Sequence, residues 1–339
     1  MPTPIENKSL KQLNTFGIDA RARYFSGFST AEELADLLEW AGSRRRLILG
    51  GGSNILLKED VDGIVLHNAI RGIELVNEGP EHVYVRAGAG ENWAAFVAYC
   101  IGRDWAGLEN LSLIPGSVGA APMQNIGAYG VELGSVFLEL DAWSLGERKL
   151  CTFTLGDCEF GYRDSVFKRR YRDEFVILSV TFRLRKKPIF HTAYGDIQQE
   201  LQRMGVRDLS IRAISEAVIA IRRSKLPDPA QIGNAGSFFK NPIIPNAQFA
   251  QLREKFPDIV GFPDPLGKNT KLAAGRLIEQ CGWKGYRRGD AGVYDRQALV
   301  LVNYGNASGK EIYRLGEEIA ASVEKKFGIV LEREVNVVP

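Results

Sequence analysis

The sequence predicts an α+β protein of two or three domains. Strand-like apolar runs come in groups, as between residues 136 and 185, and do not alternate strictly with helices. That pattern disfavours a doubly wound parallel sheet. The chain has 339 residues, more than one small domain requires. Because 45% of the residues are hydrophobic and 25% are charged, the composition is that of a globular protein with a full core.

The first predicted helix spans residues 29–42. Ser29 and Glu32 fit a capping box at its start, and Gly42 suits its C-terminal cap. Its apolar stripe consists of Leu34, Leu37 and Leu38.

Strands dominate the next part of the chain. Residues 46–57 indicate a strand, a glycine turn and a second strand, and residues 82–90 a strand that enters a glycine turn before another helix. The runs "FLELDAW" and "FVILSVTFRLR" between residues 136 and 185 are further strands. No internal repeat or low-complexity linker interrupts this order.

A helix predicted over residues 213–229 ends at Pro227 and Pro229, and the best candidate for a domain boundary lies there. Its apolar face consists of Ile214, Ala217, Val218 and Ile221. Beyond it, the sequence predicts helices over 270–282 and 308–327, a strand over 297–303, and a terminal strand after Gly328.

Composition excludes several functional classes. The net charge of +2 provides no overall field that would hold nucleic acid. The N-terminus has no apolar signal region, and no run approaches the roughly 18 apolar residues of a membrane span. The four cysteines contain no CxxC pair and the three histidines stand apart, so we expect reduced thiols in a cytoplasmic protein and no metal site.

Nucleotide-binding signatures of the common kinds are absent. The segment "GAGENW" at 88–93 follows a strand, but Trp93 stands where the Rossmann fingerprint requires a third glycine for close helix packing. No GxxxxGK[ST] motif occurs, which excludes a P-loop.

Two glycine-rich clusters carry a stronger signal. They are "LGGGSNIL" at 49–56 and "LIPGSVGAAPMQNIGAYG" at 113–130. Either one alone is more typical of a tight turn. Together they predict a cradle for a pyrophosphate-containing ligand, because small residues let a backbone approach a ligand and successive N–H groups can form an anion-binding nest.

Ser237, in "NAGSFFKNP" at 234–242, does not fit the GxSxG elbow of a serine hydrolase, because Phe238 and Phe239 follow it. A structural turn serine and a proton donor both remain open. Considered alone, Arg163 suits a surface ion pair, Glu334 a solvent-facing strand position, and Lys225 the C-terminal end of a helix, where a cation is favoured.

Taken together, these segments resemble the UDP-N-acetylenolpyruvoylglucosamine reductases, flavoenzymes that complete UDP-N-acetylmuramate for bacterial cell walls. The resemblance runs from about Asn14 to Glu334, and nine segments occur in the order of the family. They are "NTFGIDARARYF", "LGGGSNILL", "NLSLIPGSVGAAPMQNIGAYG", "GYRDSVFK", "AYGDIQ", "RRSKLPDP", "GNAGSFFKNP", "KLAAGRLIEQCGWKG" and "LEREV". "GYRDSVFK" and "AYGDIQ" are similar to the longer subtype, which has an extra tyrosine loop over the substrate.

The resemblance implies a fold and its domains. A two-lobed FAD-binding module of the vanillyl-alcohol-oxidase-like type would precede a C-terminal α/β substrate domain. The first lobe would span residues 1–72 and the second 73–224, with the terminal strand 329–339 joined to the second. The substrate domain would span residues 225–328.

The resemblance also implies site residues. The flavin would be held by Gly50, Gly51, Gly52, Ser53, Asn54, Gly116, Ser117, Gly119, Gln124, Gly127, Ala128, Ile177 and Arg222. The carboxylate, sugar and diphosphate of the substrate would be held by Tyr129, Tyr194, Lys225, Asn241 and Gln297.

The implied reaction has two halves that use one site. NADPH would reduce FAD and leave, and the enolpyruvyl sugar nucleotide would then take the hydride at its vinyl C3. Negative charge at C2 needs a fixed cation, and C2 then needs a proton. Arg163 and Glu334 would support the enolate-like intermediate, and Ser237 would donate the proton.

One position departs from the family, which often has an arginine and a short tail after this glutamate. Here the sequence reads "EVNVVP", with Asn336. A flavin oxidase of another substrate and a non-catalytic nucleotide-sugar binding protein remain alternatives on the same scaffold. We expect a monomer that binds NADPH and its small-molecule substrate, with no nucleic acid and no membrane among its partners.

Overall fold

The computed structural model describes residues 3–264 and 267–339. Within them the chain forms two compact units, and both are discontinuous in sequence. Unit 1 contains residues up to Lys8, 22–52 and 62–224. Unit 2 contains residues 9–21, 53–61 and the long segment from Lys225 to Pro339.

The regular elements mix both classes along the whole chain, as the sequence predicts. The strands are β1 (Ile5–Ser9), β2 (Arg21–Phe28), β3 (Arg46–Leu49), β4 (Ile55–Leu57), β5 (Val61–Asn68), β6 (Ile73–Glu78), β7 (His82–Gly88), β8 (Gly127–Ala128), β9 (Val131–Glu132), β10 (Phe137–Ser144), β11 (Leu150–Thr154), β12 (Phe175–Arg185), β13 (Gly233–Ser237), β14 (Ile243–Pro245), β15 (Gly261–Pro263), β16 (Asn269–Leu272), β17 (Arg287–Arg288), β18 (Ala291–Val293), β19 (Val300–Asn303) and β20 (Asn336–Val338). The α-helices are α1 (Ala31–Ala41), α2 (Trp93–Ile101), α3 (Ile197–Arg203), α4 (Ile211–Lys225), α5 (Asn246–Lys255), α6 (Ala274–Gln280) and α7 (Gly309–Phe327).

The larger sheet of unit 1 is antiparallel, with strand order β11-β10-β12-β7-β6. β12 is its central strand and is buried on both faces, which explains why its sequence is almost continuously apolar and does not alternate. Trp93 and Phe96 of α2 pack against Phe182 of β12 with ring centroids 6.0 and 4.7 Å apart. Trp93 is therefore a core residue, in agreement with the rejection of a Rossmann turn.

The second sheet of unit 1 has the order β1-β2-β5-β3, with β3 and β5 parallel. α1 packs on it through its apolar stripe, which is buried as predicted. The predicted capping box is wrong by one residue. Thr30 has the extended backbone of an N-cap, its Oγ1 accepts from Glu33 N at 3.2 Å, and Glu33 Oε2 accepts from Ser29 N at 2.6 Å.

Unit 2 is built on a sheet of order β13-β19-β18-β17 that packs against α7. The capping box of α7 joins Ser308 and Glu311, and Gly328 ends the helix in a left-handed conformation. Gly316 lets the helix approach the sheet closely, because a Cβ there would lie 2.6 Å from the Phe238 ring. A smaller sheet, β14-β16-β15, adjoins α5.

Two predicted elements differ from the observed ones. Residues 270–272 belong to strand β16 and not to the predicted helix over 270–282, which begins only at Ala274. The helix begins at Ala274 because the Asn241 Oδ1 atom accepts a hydrogen bond from Ala274 N at 3.0 Å and so caps the helix there. The helix predicted over 213–229 ends at Lys225, since a residue before proline disfavours helical backbone.

The C-terminal strand also differs from expectation. Only β20 forms a regular ladder, and it pairs in parallel with β4. The sequence-based division had joined the terminal strand to the second lobe and had placed residues 55–57 in the first. That division, including the attachment of the terminal strand, stays a prediction.

The described cysteines are all free, and Cys100 and Cys158 are buried. No helix in the described parts of the chain combines the length and the apolar composition needed to cross a bilayer.

Candidate functional site

The residues predicted to form the site fall into two sets, one in each unit. Unit 1 holds most of the predicted flavin contacts and three further residues, Arg163, Tyr129 and Tyr194. Unit 2 holds Ser53, Asn54, Lys225, Ser237, Asn241, Gln297 and Glu334. Each set is described by its own geometry.

The two glycine clusters of unit 1 meet each other directly. A Cβ on Gly51 would lie 2.8 Å from Gly116 Cα, and one on Gly50 would lie 2.5 Å from Ser117 Oγ. Ser117 Oγ in turn accepts from Gly51 N at 3.3 Å. The glycines therefore permit two backbones to run side by side, whereas the sequence had explained them by tight turns or by approach to a ligand.

The same loops contain left-handed backbone and a further close approach. Gly52 has φ +61° and Gly116 has φ +121°, values that glycine adopts at little cost. A Cβ on Gly119 would lie 2.5 Å from Ala89 Cβ. These loops offer backbone N–H groups without bulky side chains, and such a surface suits a diphosphate. The residues therefore fit an FAD cradle.

The segment that contains Gln124 and strand β8 contacts Arg163. Gln124 ends a short 3₁₀ turn, Pro122–Gln124, and Gly127 and Ala128 form β8. Arg163 Nη2 donates to Gly127 O at 2.8 Å. Arg163 has φ +53°, a conformation that costs a non-glycine residue on the order of 1 kcal/mol or more. A strained arginine with an anchored guanidinium is more than a surface ion pair.

Arg163, Arg222 and Tyr129 form an electrostatic cluster. Burial lowers the pKa of Arg222, and the positive charge of Arg163 lowers it further, while Tyr129 opposes the shift. Burial raises the pKa of Tyr129, and Arg222 opposes that rise. Arg222 Nε donates to Leu113 O at 3.3 Å. Arg222 therefore interacts both with the Tyr129 phenol and with the Arg163 guanidinium, and two positive groups that act on each other favour an anion nearby.

Several buried asparagines hold this set in place, and the sequence did not predict them. Asn68 Nδ2 donates to the carbonyl of Ile177, a predicted flavin contact, at 2.8 Å. Asn125 Nδ2 donates to Gly161 O at 3.1 Å, at the turn that contains Arg163, and its Oδ1 accepts from Gly134 N. Asn110 donates to the carbonyls of Tyr129 and His191. Their signal is weak, since asparagine is a common residue of turns and loops.

Ser237 lies at the end of β13, in unit 2. Asn234 Oδ1 accepts from Gly236 N at 3.0 Å, and Gly236 has φ +69°, so an asparagine turn precedes the serine. A Cβ on Gly236 would have no described atom within 4 Å. Ser237 pairs with Val300 of β19. Its backbone is therefore fixed beside open space.

Glu334 is held by the segment that follows Ser237. Its N–H donates to Phe238 O at 2.9 Å, and its carbonyl accepts from Asn54 Nδ2 at 3.2 Å. Asn336 donates to Asn54 O from both its backbone and its side chain, each at 3.1 Å. Glu334 is partly buried. Asn336 therefore anchors Asn54.

Asn241 and Gln297 meet at the N-terminal turn of α6. Asn241 Oδ1 caps Ala274, and Gln297 Oε1 lies 2.8 Å from the position that a Cβ on Gly275 would take. Gln297 Oε1 also accepts from Leu299 N at 3.3 Å. Lys225 is exposed at the last position of α4. Asn241 and Gln297 are thus brought together at the start of α6.

Two family models match the chain. One is described as "FAD binding domain" and matches residues 23–144, and the other as "UDP-N-acetylenolpyruvoylglucosamine reductase, C-terminal domain" and matches residues 228–338. An FAD-binding module followed by a C-terminal domain of this family confirms the predicted α+β fold class.

Several relatives named UDP-N-acetylenolpyruvoylglucosamine reductase match almost the entire chain. One from Amoebophilus asiaticus is 52% identical over 337 residues, which cover 98% of each chain. One from Pseudomonas putida is 50% identical over 333 residues, again 98% of each. The crystal structure of a protein of that name from Thermus caldophilus superposes with a TM-score of 0.70 over 100% of both chains at 24% identity, and supports the fold.

Proposed function

The chain belongs to the family of UDP-N-acetylenolpyruvoylglucosamine reductases, and on that premise we propose that it uses NADPH to reduce the enolpyruvyl group of UDP-N-acetylglucosamine enolpyruvate. The product is UDP-N-acetylmuramate, a precursor of peptidoglycan. The balance is one hydride from NADPH to the vinyl C3 and one proton to C2. FAD, when bound, supplies the hydride carrier between the two substrates.

The observation that carries the proposal is the anchored pair of arginines in unit 1. Arg163 is fixed on Gly127 O, and the charges of Arg222 and Arg163 act on one another. Hydride addition to C3 leaves negative charge at C2 and in the adjacent carboxylate. A guanidinium that is already positioned stabilises this charge without reorganisation, and such stabilisation is commonly the largest single contribution to catalysis.

Proton delivery to C2 is assigned to Ser237 in this proposal. A serine hydroxyl is a weak acid, but an enolate carbon is a strong base, so a positioned hydroxyl suffices. The fixed turn at Gly236 and the open space beside it support this role. Glu334 acts with Arg163 on the enolate-like intermediate. Its backbone is held on both sides, by Phe238 O and by the Asn54 side chain.

Five side chains are assigned to the substrate. Tyr129 and Tyr194 belong to unit 1, and Lys225, Asn241 and Gln297 to unit 2. These residues offer phenol, ammonium and amide groups, which are the donors that a carboxylate, a sugar and a diphosphate require. Lys225 suits a phosphate of either NADPH or the nucleotide sugar, in keeping with a site used by both in turn.

The test of the function is an anaerobic absorption experiment. The purified protein should show a flavin spectrum, NADPH should bleach it, and the enolpyruvyl nucleotide should restore it. If the nucleotide binds but leaves the reduced flavin unchanged, the chain is a binding protein and the proposed reaction is wrong. Rapid reoxidation by oxygen alone, with no response to the nucleotide, would identify an oxidase of another substrate.

The role of Ser237 has a separate test. Ser237→Ala should keep the rate of flavin reduction by NADPH within about twofold and slow reoxidation by the nucleotide by roughly 10²-fold or more, because positioned proton donors contribute on that scale. Stopped-flow absorbance measures both half-reactions in one preparation. Equal losses in both would show that Ser237 is a structural turn residue.

A further inference from the structure

Asn110 has an unusual position for a polar side chain. It lies in the short 3₁₀ turn Glu109–Leu111 and is 1% exposed. Its Nδ2 group donates to Tyr129 O at 2.9 Å and to His191 O at 2.8 Å. The two carbonyls are 19 and 81 residues away in sequence. One amide therefore joins two loops that are distant in sequence.

The turn that carries Asn110 is itself fixed. Glu109 Oε2 accepts from Gly107 N at 2.7 Å, and Ser112 Oγ donates to Glu109 O at 2.7 Å. Ser112 Oγ also lies 2.8 Å from Ser215 Oγ on α4, with both residues buried. Because these bonds anchor the turn on both sides, Asn110 is a fixed point against which the two loops are held.

The first of these loops is strained. Tyr129 has φ +50°, a left-handed conformation that costs a bulky residue on the order of 1–3 kcal/mol and persists only where neighbouring contacts impose it. The bond from Asn110 is made to the carbonyl of this residue. It fixes the peptide plane between Tyr129 and Gly130, which itself has φ +80°.

The second loop, which contains His191, also contains Tyr194. His191 precedes Tyr194 by three residues. A Cβ on Gly130 would lie 3.2 Å from Tyr194 Cβ, and one on Gly195 would lie 3.6 Å from Tyr129 Cδ1. The two tyrosine segments therefore touch, and the glycine beside each tyrosine makes room for the other segment. Asn110 holds the backbone on both sides of this contact.

Stability alone does not explain an asparagine here. Its Oδ1 atom is buried and has no hydrogen-bond partner in the described parts of the chain, and an unsatisfied buried acceptor costs about 1–3 kcal/mol. The opposite amide orientation would place that oxygen against two carbonyl oxygens. Only a side chain with two N–H donors can donate to both carbonyls. The position of the Asn110 Oδ1 atom is a consequence of these two donations.

We propose that Asn110 is a positioning residue that sets the mutual placement of Tyr129 and Tyr194 for binding of the nucleotide sugar. The inference deepens the proposed function and rests on it, because the placement of the two tyrosines affects function only if both of them bind the substrate. Asn110 itself touches neither the flavin cradle residues nor the arginines in the contacts described above.

The test uses Asn110→Asp, which keeps shape and volume but replaces both donors with an acceptor. The dissociation constant of UDP-N-acetylglucosamine enolpyruvate is measured on the oxidised protein from the change in the flavin spectrum. We expect it to rise about tenfold, with a similar rise in KM, while kcat at saturation falls less than threefold and the flavin content stays as in the wild type.

Asn303→Asp is the matched control. Asn303 is also a buried asparagine that donates to two carbonyls, those of Phe16 and Ala307, but it lies in unit 2 on other segments. Both variants should lower the midpoint of thermal unfolding. Only Asn110→Asp should weaken binding of the nucleotide.

The outcomes separate this inference from the proposed function. If the wild type binds the nucleotide without reoxidation, the proposed reaction is wrong while the positioning role is still measured by the dissociation constant. If the wild type turns over and Asn110→Asp binds the nucleotide as tightly as the wild type does, the positioning role is overturned. Equal weakening in both asparagine variants would also overturn it, because a general loss of stability would then explain the effect.

Discussion

At the residue scale, the glycines of the cradle act through contact between two protein backbones. Gly51 and Gly116 approach so closely that no side-chain atom fits between them. The surface that faces a ligand is therefore made of two loops held in one position relative to each other. That position requires glycine, which has no Cβ, at the points of contact. This gives single glycines an effect on flavin binding that their own contacts with a ligand would not reveal.

Gly51→Ala tests this interpretation. The added Cβ would lie 2.8 Å from Gly116 Cα and 2.9 Å from Gly116 C, and a backbone cannot rotate away as a side chain can. We expect the free energy of unfolding to fall by roughly 1–3 kcal/mol, as is usual for overpacking. The fraction of protein that retains flavin should fall as well, measured by the ratio of flavin to protein absorbance.

Gly146→Ala is the control for that variant. Gly146 is exposed, and a Cβ there would have no described atom within 4 Å. We expect its stability to change by less than about 1 kcal/mol and its flavin content to stay constant. Full flavin retention and unchanged stability in Gly51→Ala would contradict the close packing of the two loops.

At this scale, the sequence predicted candidate catalytic residues but not the groups that hold them in place. Arg163, Ser237 and Glu334 were proposed from their segments, yet their geometry depends on Gly127 O, on the turn at Asn234 and on Asn54. These supports are carbonyls or common asparagines. Gly127 O and Asn54 lie 36 and 280 residues from their partners, whereas Asn234 lies only two residues from Gly236. A local pattern cannot distinguish an asparagine that bridges two loops from one that only turns the chain.

At the element scale, apolar periodicity predicted where helices lie, and hydrogen-bond geometry decided where they begin. The stripe of α1 is buried as its spacing predicts. Its start differs because Ser29 and Thr30 are both acceptable N-cap residues. Only the extended backbone of Thr30 lets a side-chain oxygen reach the third N–H of the helix.

Thr30→Ala and Ser29→Ala distinguish these two starts. Thr30 Oγ1 accepts from Glu33 N, so its loss should lower the free energy of unfolding by about 1 kcal/mol. Ser29 contributes its backbone N–H, which the alanine variant keeps, and its effect should stay within about 0.5 kcal/mol. Chemical denaturation of both variants measures the difference, and a larger loss in Ser29→Ala would restore the box inferred from sequence.

At the scale of the whole molecule, unit 2 draws on three separate parts of the chain. Thr15 and Phe16 come from its first segment, and β4 comes from its second. No local signal marks these pieces as partners of residues more than 200 positions away, so the sequence placed them in the first lobe. Chain order suggests domains, but the parallel pairing of β20 with β4 shows that these segments close unit 2.

This architecture predicts that residues 225–339 do not fold alone. Without the first segment, Asn234 N loses Thr15 O and Asn303 Nδ2 loses Phe16 O, each a bond of 2.9 Å. Each buried group left unpaired costs about 1–3 kcal/mol, and β20 loses its strand partner as well. The isolated fragment should show no cooperative thermal transition by circular dichroism. A chain that links residues 9–21 and 53–61 to the same fragment through flexible spacers should regain one, whereas cooperative melting of the fragment alone would show that these segments are dispensable for the fold of unit 2.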